Sequence, residues 1–350
     1  MDLAEIASLS PMLAKAVDTV PEPDAIPGGY AYEPKWDGFR AIIAFDGDTV
    51  EIGSRGAKPL TRYFPELTGA LPAMLPGPCV IDGEIVVRRG APGGERLDWE
   101  SLSARIHPAE RRIAVLARET PAVIVAFDLL AVGSRSLLDE PFGARRSALE
   151  ALAEGLGSPL FVSRSTTDVA LARRWFVDFE GAGLDGVVAK PLGAVYSPGK
   201  RTMLKIKHHR TADVVLVGYR VHSSGAGVGS LLLGLYDDAG ELQPVGGISA
   251  FTASRRLELI AELEPLVQRD ATGDPITGER ERTRFSGGKD RSFVQLEPSR
   301  VIQVRYDQME GSRFRHTAQF DRWRPDRDAR SCTFAQLERP LAYDLGTVLD

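Results

Sequence analysis

Apolar and polar positions along the 350-residue chain change period repeatedly, and the changes mark its elements. Residues 30–55, YAYEPKWDGFRAIIAFDGDTVEIGSR, alternate as paired strands. Asp46-Gly47 between Arg40–Phe45 and Thr49–Ile52 predicts a tight hairpin. Residues 79–88, CVIDGEIVVR, predict another strand, and 122–130, AVIVAFDLL, an apolar run of strand length. Helical stretches are expected between these, at 98–118, 139–155 and 168–181. Residues 185–190 and 202–207 predict two short strands. In the second, Lys205 and Lys207 are two apart and so point to one side. The pattern lacks a strand–helix–strand rhythm, so the expected fold is α+β, built on antiparallel sheets with helices, over 1–207.

Beyond HHRTADV the character changes. Runs at 213–221, 230–237, 242–249, 292–297 and 300–306 are rich in β-formers, with one amphipathic helix near 254–268. Five short strands, one helix and glycine-rich turns predict a small OB-fold barrel over 208–350. The polar stretch 269–290 is expected to be a long mobile loop. Ser223–Gly229, SSGAGVG, has glycines suited to cradling a phosphate but lacks the P-loop lysine, so it reads as a turn between barrel strands.

Composition narrows this picture. With 43 basic and 48 acidic side chains the net charge is −5, which argues against a coat of positive charge for wrapping nucleic acid. The distribution says otherwise. Residues 190–220 carry seven Lys/Arg against one acid, Asp213, and 280–330 carry thirteen against eight. Two basic segments on an acidic body suit a polyanion. Only Cys79 and Cys332 are present, too few for a disulfide framework or a four-thiolate zinc site, and a reducing compartment is expected. No apolar run approaches a membrane span, and the N-terminus has no basic region of the secretory kind, so a cytosolic protein is expected.

Candidate chemistry centres on Glu33-Pro34-Lys35-Trp36-Asp37-Gly38-Phe39-Arg40. Lysine becomes a nucleophile when cationic neighbours or a metal expose its lone pair, and Lys205 and Lys207 could supply such neighbours or hold a phosphate. By themselves the other candidates have plain readings. Phe127 reads as core, Glu84 and Asp185 as acids at strand ends, Arg324 and Arg327 as a solvated basic tail, and Trp36 and Trp323 as packing residues. His208 and His209 lack metal spacing and read as hinge or phosphate neighbours.

The segments do not stand alone. KWDG at 35–38, SRG at 54–56, DGE at 82–84, AFDLL at 126–130, DGVVAK at 185–190, MLKIK at 203–207 and FDRWRPDR at 320–327 follow one another in this order. In that order and spacing the chain resembles the ATP-dependent DNA ligases of the covalent nucleotidyltransferase superfamily. The resemblance covers about 10–330, and the length matches the minimal two-domain bacterial form, close to the C-type. It implies an adenylation domain followed by an OB-fold domain, and nick sealing through a lysyl-AMP and a 5′-adenylated DNA, in repair.

Residue by residue, the resemblance implies Lys35 as the nucleophile that takes AMP from ATP. Glu33 would read the adenine amino group and Phe127 would stack on adenine. Arg40 and Arg55 would contact the ribose and the nicked strand. Glu84 would bind the ribose hydroxyl near the metal, and Asp185 would help bind Mg²⁺, with Mn²⁺ as a substitute. Lys190 joins the nucleotide-binding set. Lys205 and Lys207 would contact the α-phosphate. Arg324 and Arg327, with Asp326, would orient pyrophosphate. Two positions depart from the pattern: Asp185 stands where glutamate is usual, and Arg327 where lysine is. The implied partners are ATP and nicked duplex DNA, met by a monomer of the bacterial cytosol and nucleoid, with a repair polymerase as a possible companion. Two alternatives stay open from the residues alone: another superfamily member, either an RNA ligase or an mRNA guanylyltransferase, and a non-catalytic OB protein that binds nucleic acid.

Overall fold

In the computed structural model the described residues are 5, 8–56, 58–208, 210–279, 292–337 and 342–349. Two compact units form: Met1–Lys207 with Pro340–Asp350, and His208–Arg339. His209 and 280–290 of the expected loop lie outside the described residues.

The first unit carries β1 (Leu13–Val17), β2 (Tyr30–Pro34), β3 (Phe39–Phe45), β4 (Val50–Ser54), β5 (Cys79–Arg89), β6 (Arg96–Leu97), β7 (Ala122–Val132), β8 (Arg135–Ser136), β9 (Leu160–Val162), β10 (Val187–Pro191) and β11 (Arg201–Ile206). Its helices are α1 (Pro65–Met74), α2 (Trp99–Ala104), α3 (Glu110–Glu119), α4 (Phe142–Ala153) and α5 (Val169–Asp178). One sheet runs β4-β3-β5-β7-β8, with β6 beside β5 and β9 beside β7. The other runs β1-β11-β10-β2.

The centre of the larger sheet explains the apolar run. On β7, Ile124 and Ala126 pack with Phe64, Leu67, Leu71, Leu102 and Leu149 under the helices. Val123, Val125 and Phe127 pack on the opposite face with Val86, Trp175 and Phe179. A strand buried on both faces has no reason to alternate. Register slips once beside the bulk of this strand: Asp82 faces Asp128 but Gly83 faces Ala126, so Phe127 is the unpaired residue of a bulge. Bulges turn a side chain out of the regular pleat, and this one lies at a site residue.

Local chemistry corrects several expectations. The helix expected over 98–118 is two helices, α2 and α3. Pro108 lies between them, where a proline would remove a helical hydrogen bond and its ring would crowd the preceding turn. The sheets are not wholly antiparallel, because β1 pairs β11 and β9 pairs β7 in parallel. Strand β1 and helix α1 were not anticipated. The first shows no clear alternation in LAKAV, and the second carries Pro72 inside it.

The described C-terminal tail, 342–349, belongs to the first unit and not to the barrel. Leu345, Val348 and Leu349 enter the cluster of Trp175 and Phe179. The Leu345 N–H donates to Glu95 O at 2.9 Å, and Arg164 donates to Thr347 O and Val348 O at 2.7 and 3.0 Å. Three apolar side chains on one short turn, α7 (Gly346–Leu349) with the residue before it, need a core, and this unit supplies it.

The second unit holds β12 (Arg210–Val221), β13 (Val228–Tyr236), β14 (Leu242–Ile248), α6 (Ala253–Leu263), β15 (Thr277–Glu279), β16 (Ser292–Gln295), β17 (Val301–Tyr306), β18 (Met309–Glu310), β19 (Arg313–Phe314) and β20 (Gln319–Trp323). Long β12 pairs β17 through 210–215 and β16 at 218–219 on one side, and β13 on the other. One strand serving both halves curls the sheet into the half-open barrel of an OB-fold. The Ala318 N–H bonds Gly247 O at 3.0 Å, tying β20's start to the end of β14. Thr277–Glu279, expected as loop, is a strand on β16. The turn 222–227 between β12 and β13 closes through His222 N–H to Gly227 O at 2.9 Å.

Leu345→Ala should destabilise the first unit by about 2–4 kcal/mol, the usual range for emptying a buried leucine site. Urea unfolding with domain-specific probes checks this. The second unit's transition should not move, and an unchanged first transition would show that the tail is no part of that core.

Candidate active site

The site is built where the two sheets of the first unit present polar rows. On the smaller sheet Glu33 of β2 lies opposite Val188 of β10, which lies opposite Lys205 of β11. Residues opposite in antiparallel strands share a face, so Glu33, Lys190, Lys205 and Lys207 line one side. On the larger sheet Arg40 of β3 lies opposite Glu84 of β5, with Asp82 two residues away.

Lys35 follows β2 directly. Its N–H donates to Gly186 O at 2.9 Å, and the Asp185 N–H donates to Lys35 O at 3.0 Å. This reciprocal pair locks two loops together. Glycine is needed twice to allow it. Gly186 has φ +117°, and a Cβ there would sit 2.0 Å from Ile206 O; at Gly38 it would sit 2.1 Å from Ile85 O. The Gly38 N–H instead donates to Glu84 Oε1 at 3.0 Å. The Asp-Gly spacings of both motifs thus reflect close backbone approach.

Lys35 Nζ donates to Asp185 Oδ2 at 2.7 Å, and Lys207 Nζ lies 2.7 Å from the same oxygen. Burial would raise the Asp185 carboxyl, but the two ammonium groups outweigh it and hold it below the ordinary aspartate range. Lys205 stands beside them. Burial, then Lys207, Lys35 and Arg55, push its ammonium below the usual lysine value. Arg55 itself is exposed just past β4. Three lysines and an arginine therefore gather about one aspartate, an arrangement that leaves cationic capacity for phosphate oxygens.

Arg40 is clamped by Asp82, Nε to Oδ1 at 2.6 Å and Nη2 to Oδ2 at 2.7 Å. The Tyr196 hydroxyl donates to Asp82 Oδ2 at 2.6 Å. The Arg40 guanidinium carbon lies 4.2 Å from the centroid of Phe127, and Lys190 Nζ 4.5 Å from it. Phe127 is only 5% exposed, so its plain core role and a place at the site coexist. Lys190 also donates to Phe127 O at 3.1 Å and pairs with Glu33 Oε2 at 2.7 Å. Burial pushes the Glu33 carboxyl up and the Lys190 ammonium down, each opposed by the other's charge. Burial also pushes Glu84 up to about 7, against the pull of Arg40 and Lys35.

Ten of the expected residues thus belong to the first unit. Arg324 and Arg327 belong to the second. There Arg324 is fully engaged, by Asp213 at 2.9 and 3.0 Å and by Asp326 at 2.9 Å, while Arg327 Nε is 3.8 Å from Asp213. Trp323 packs edge-on to Phe320. Sequence reasoning passed over Asp82, Tyr196 and Arg146. Asp82 did carry a signal, a charge on an apolar strand that must find a partner; the other two carried none. Among the described residues no three His, Cys, Asp or Glu side chains are grouped to hold a cation.

The pattern of the family described as ATP dependent DNA ligase domain matches residues 11–207, and that of the ATP dependent DNA ligase C terminal region matches 224–327. The chain belongs to the ATP-dependent DNA ligases. The ligase is 52% identical over 364 residues to DNA ligase C of Mycobacterium tuberculosis, covering 100% of this chain and 99% of that one. It is 30% identical over 312 residues to the multifunctional non-homologous end joining DNA repair protein LigD of the same species, covering 87% of this chain and 37% of that one. A solved structure from work on Lig E DNA ligases superposes with a TM-score of 0.55 at 18% identity, covering 89% of the ligase and 99% of that chain, which speaks to fold alone.

Glu84 gives this site a pH signature. Its folded value, about 7, lies above the ordinary 4.5, so the unfolded chain releases the proton first as pH rises. Stability relative to Glu84→Gln should therefore fall between those two values and level off above them. Thermal melts of both proteins across that range check this. A parallel pair of curves would show that Glu84 has an ordinary carboxyl.

Proposed function

We propose that this ligase seals nicks in duplex DNA through three transfers at phosphorus, with Lys35 as the covalent nucleophile. The observation that carries the reading is the junction at Asp185, where Lys35 and Lys207 share one oxygen at 2.7 Å with Lys205 and Arg55 beside them. Transfers at phosphorus depend on alignment and neutralisation of charge, which such a cluster supplies.

In the first step Lys35 Nζ, having given up a proton, attacks the α-phosphorus of ATP. An N–P bond forms and the bond to pyrophosphate breaks. Lys205 and Lys207 receive the charge that builds on the α-phosphate. In the second, a DNA 5′-phosphate oxygen attacks the same phosphorus and Lys35 leaves as the amine. In the third, the 3′-hydroxyl attacks the 5′-phosphorus and AMP departs. Glu33 and Phe127 hold adenine, with Lys190 setting Glu33's position. Arg40, locked by Asp82, and Glu84 hold the ribose, and Arg55 meets the nicked strand. Arg324 and Arg327 serve pyrophosphate.

A divalent cation, Mg²⁺ or Mn²⁺, suits the donors at hand. Glu84, a half-buried carboxyl held up near 7, and Asp185, with one oxygen taken by lysines, could hold it together with substrate phosphates; they do not make a protein cage. When bound it would neutralise phosphate charge.

The substrate we assign is nicked double-stranded DNA, met by a monomer in the bacterial cytosol and nucleoid. A role in repair is supported by the repair protein among its relatives. No described helix is long and apolar enough to cross a membrane. Incubation with α-labelled ATP and a divalent cation should give a covalent protein–AMP adduct that survives alkali and is released by hot acid, as a lysyl N–P bond is, and Lys35→Ala should give none. An adduct on Lys35→Ala would end the assignment.

A further inference from the structure

Helix α4 carries two adjacent arginines with separate duties. Arg145 is fully buried and grips Asp128 at 2.8 Å through both carboxylate oxygens. Arg146, a hundred degrees further round the helix, reaches the nucleotide side. Its Nη1 donates to Glu33 Oε1 at 3.4 Å, its Nη2 to Ser163 O at 2.6 Å and its Nε to Glu150 at 2.7 Å. Ser163 Oγ in turn accepts the indole N–H of Trp36 at 2.9 Å. One side chain thereby braces both residues that flank Pro34-Lys35, yet no motif of the ligation chemistry includes it.

Glu33 is 2% exposed, and a buried carboxyl takes up a proton unless cations and donors oppose it. The charged groups facing it are Lys190 from β10, Arg146 from α4 and Asp128 from β7. Asp128 favours protonation but is neutralised by Arg145. Lys190 serves Oε2 and Arg146 serves Oε1. Both are donors only, so neither can receive a Glu33 hydroxyl proton.

The proton state decides which purine fits. A carboxylate accepts from the 6-amino group of adenine. A carboxylic acid can donate to the 6-carbonyl of guanine instead. We propose that Arg146 is a positioning residue that sets purine selectivity, keeping Glu33 an anion and hence a reader of adenine. The proposal rests on Glu33 reading the purine's 6-position.

The test follows the rate of covalent labelling from α-labelled ATP and GTP between about pH 5.5 and 8. Arg146→Gln keeps a donor for Ser163 O and removes the charge. Arg146→Met removes both, and Arg146→Lys returns the charge. The ATP-over-GTP ratio should stay level with pH in the parent ligase. In Arg146→Gln it should fall about tenfold at the acid end, the scale of one buried hydrogen bond gained or lost, and recover towards pH 8. Arg146→Lys should restore most of it. A ratio that is unchanged, or lowered equally at every pH, would overturn the proposal and leave Arg146 a brace. If Arg146→Met does not fold, the Gln and Lys variants carry the test. Glu33→Gln separates the two readings. Its amide can donate to guanine, so its ratio should be low at all pH. If Glu33→Gln keeps the parent ratio, Glu33 does not read the purine. If it loses the ratio and Arg146→Gln does not, only the role of Arg146 is refuted.

Discussion

The Asp185 carboxylate is the joint on which the site depends. Without it, Lys35 and Lys207 would face each other across the same space, with Lys205 and Arg55 adding to the repulsion. Like charges at such distances oppose assembly, and one buried anion between them converts repulsion into attraction. The backbone exchange between Lys35 and Asp185–Gly186 fixes the two loops so that the anion arrives where it is needed. An aspartate is one methylene shorter than the glutamate expected from the family pattern. Here its shortness suits a position already pulled in by that exchange. In the proposed function a phosphate would therefore compete with Asp185 for the ammonium groups and would not meet bare charge.

Elsewhere in the unit three acids drawn between the sheets are matched by cations, whereas Glu84 is held by the Gly38 N–H and its carboxyl is pushed up. Asp82 is clamped by Arg40 and Tyr196, Glu33 by Lys190 and Arg146, and Asp128 by Arg145. Removing one member of such a pair leaves its partner buried and uncompensated, which is far costlier than the pair is stabilising. The sheets can therefore expose a polar cleft on one face only because the opposite face of β7 is packed under α1, α2 and α4. Helices bury one side of β7, and on the other side Val123 and Val125 join a second core, so of that strand Phe127 at the bulge is what reaches the site.

Much of this was legible in the chain. The order of short motifs pointed to the family, and the Lys205/Lys207 spacing put both on one face, because the period of a strand is two whatever surrounds it. Strand β3 was readable by its alternation, and β7 by an apolar run of strand length, which burial on both faces explains. What escaped depends on partners far away in sequence. The C-terminal tail looked like part of the barrel, since nothing local to Leu345, Val348 and Leu349 says which core they enter. The break at Pro108 was local and could have been read. Strand β15 is three residues long and owes its shape to β16, so its own sequence reads as loop. Arg146 had no sequence signal, because its importance lies in touching Glu33 from 113 positions away.

The second unit shows the same logic at Arg324, an arginine held by two aspartates. Arg324 makes close contacts with both oxygens of Asp213 and with Asp326, and its hydrogen bond to Asp326 is the main cause that lowers that carboxyl to about 2. Asp326 is well exposed, so its share of the pair is screened and weak. Asp213 is largely covered, and holds more firmly. A pyrophosphate group reaching Arg324 would displace Asp326 first, keeping Asp213 as the hinge of the guanidinium. In the proposed function such an exchange would put one anion in place of another across the same planar fork, so the arginine would not be desolvated afresh. That makes a bidentate arginine better suited than a lysine to a motif that must be held in order before its ligand arrives. Arg327, with its weaker hold on Asp213, is the readier of the two to turn.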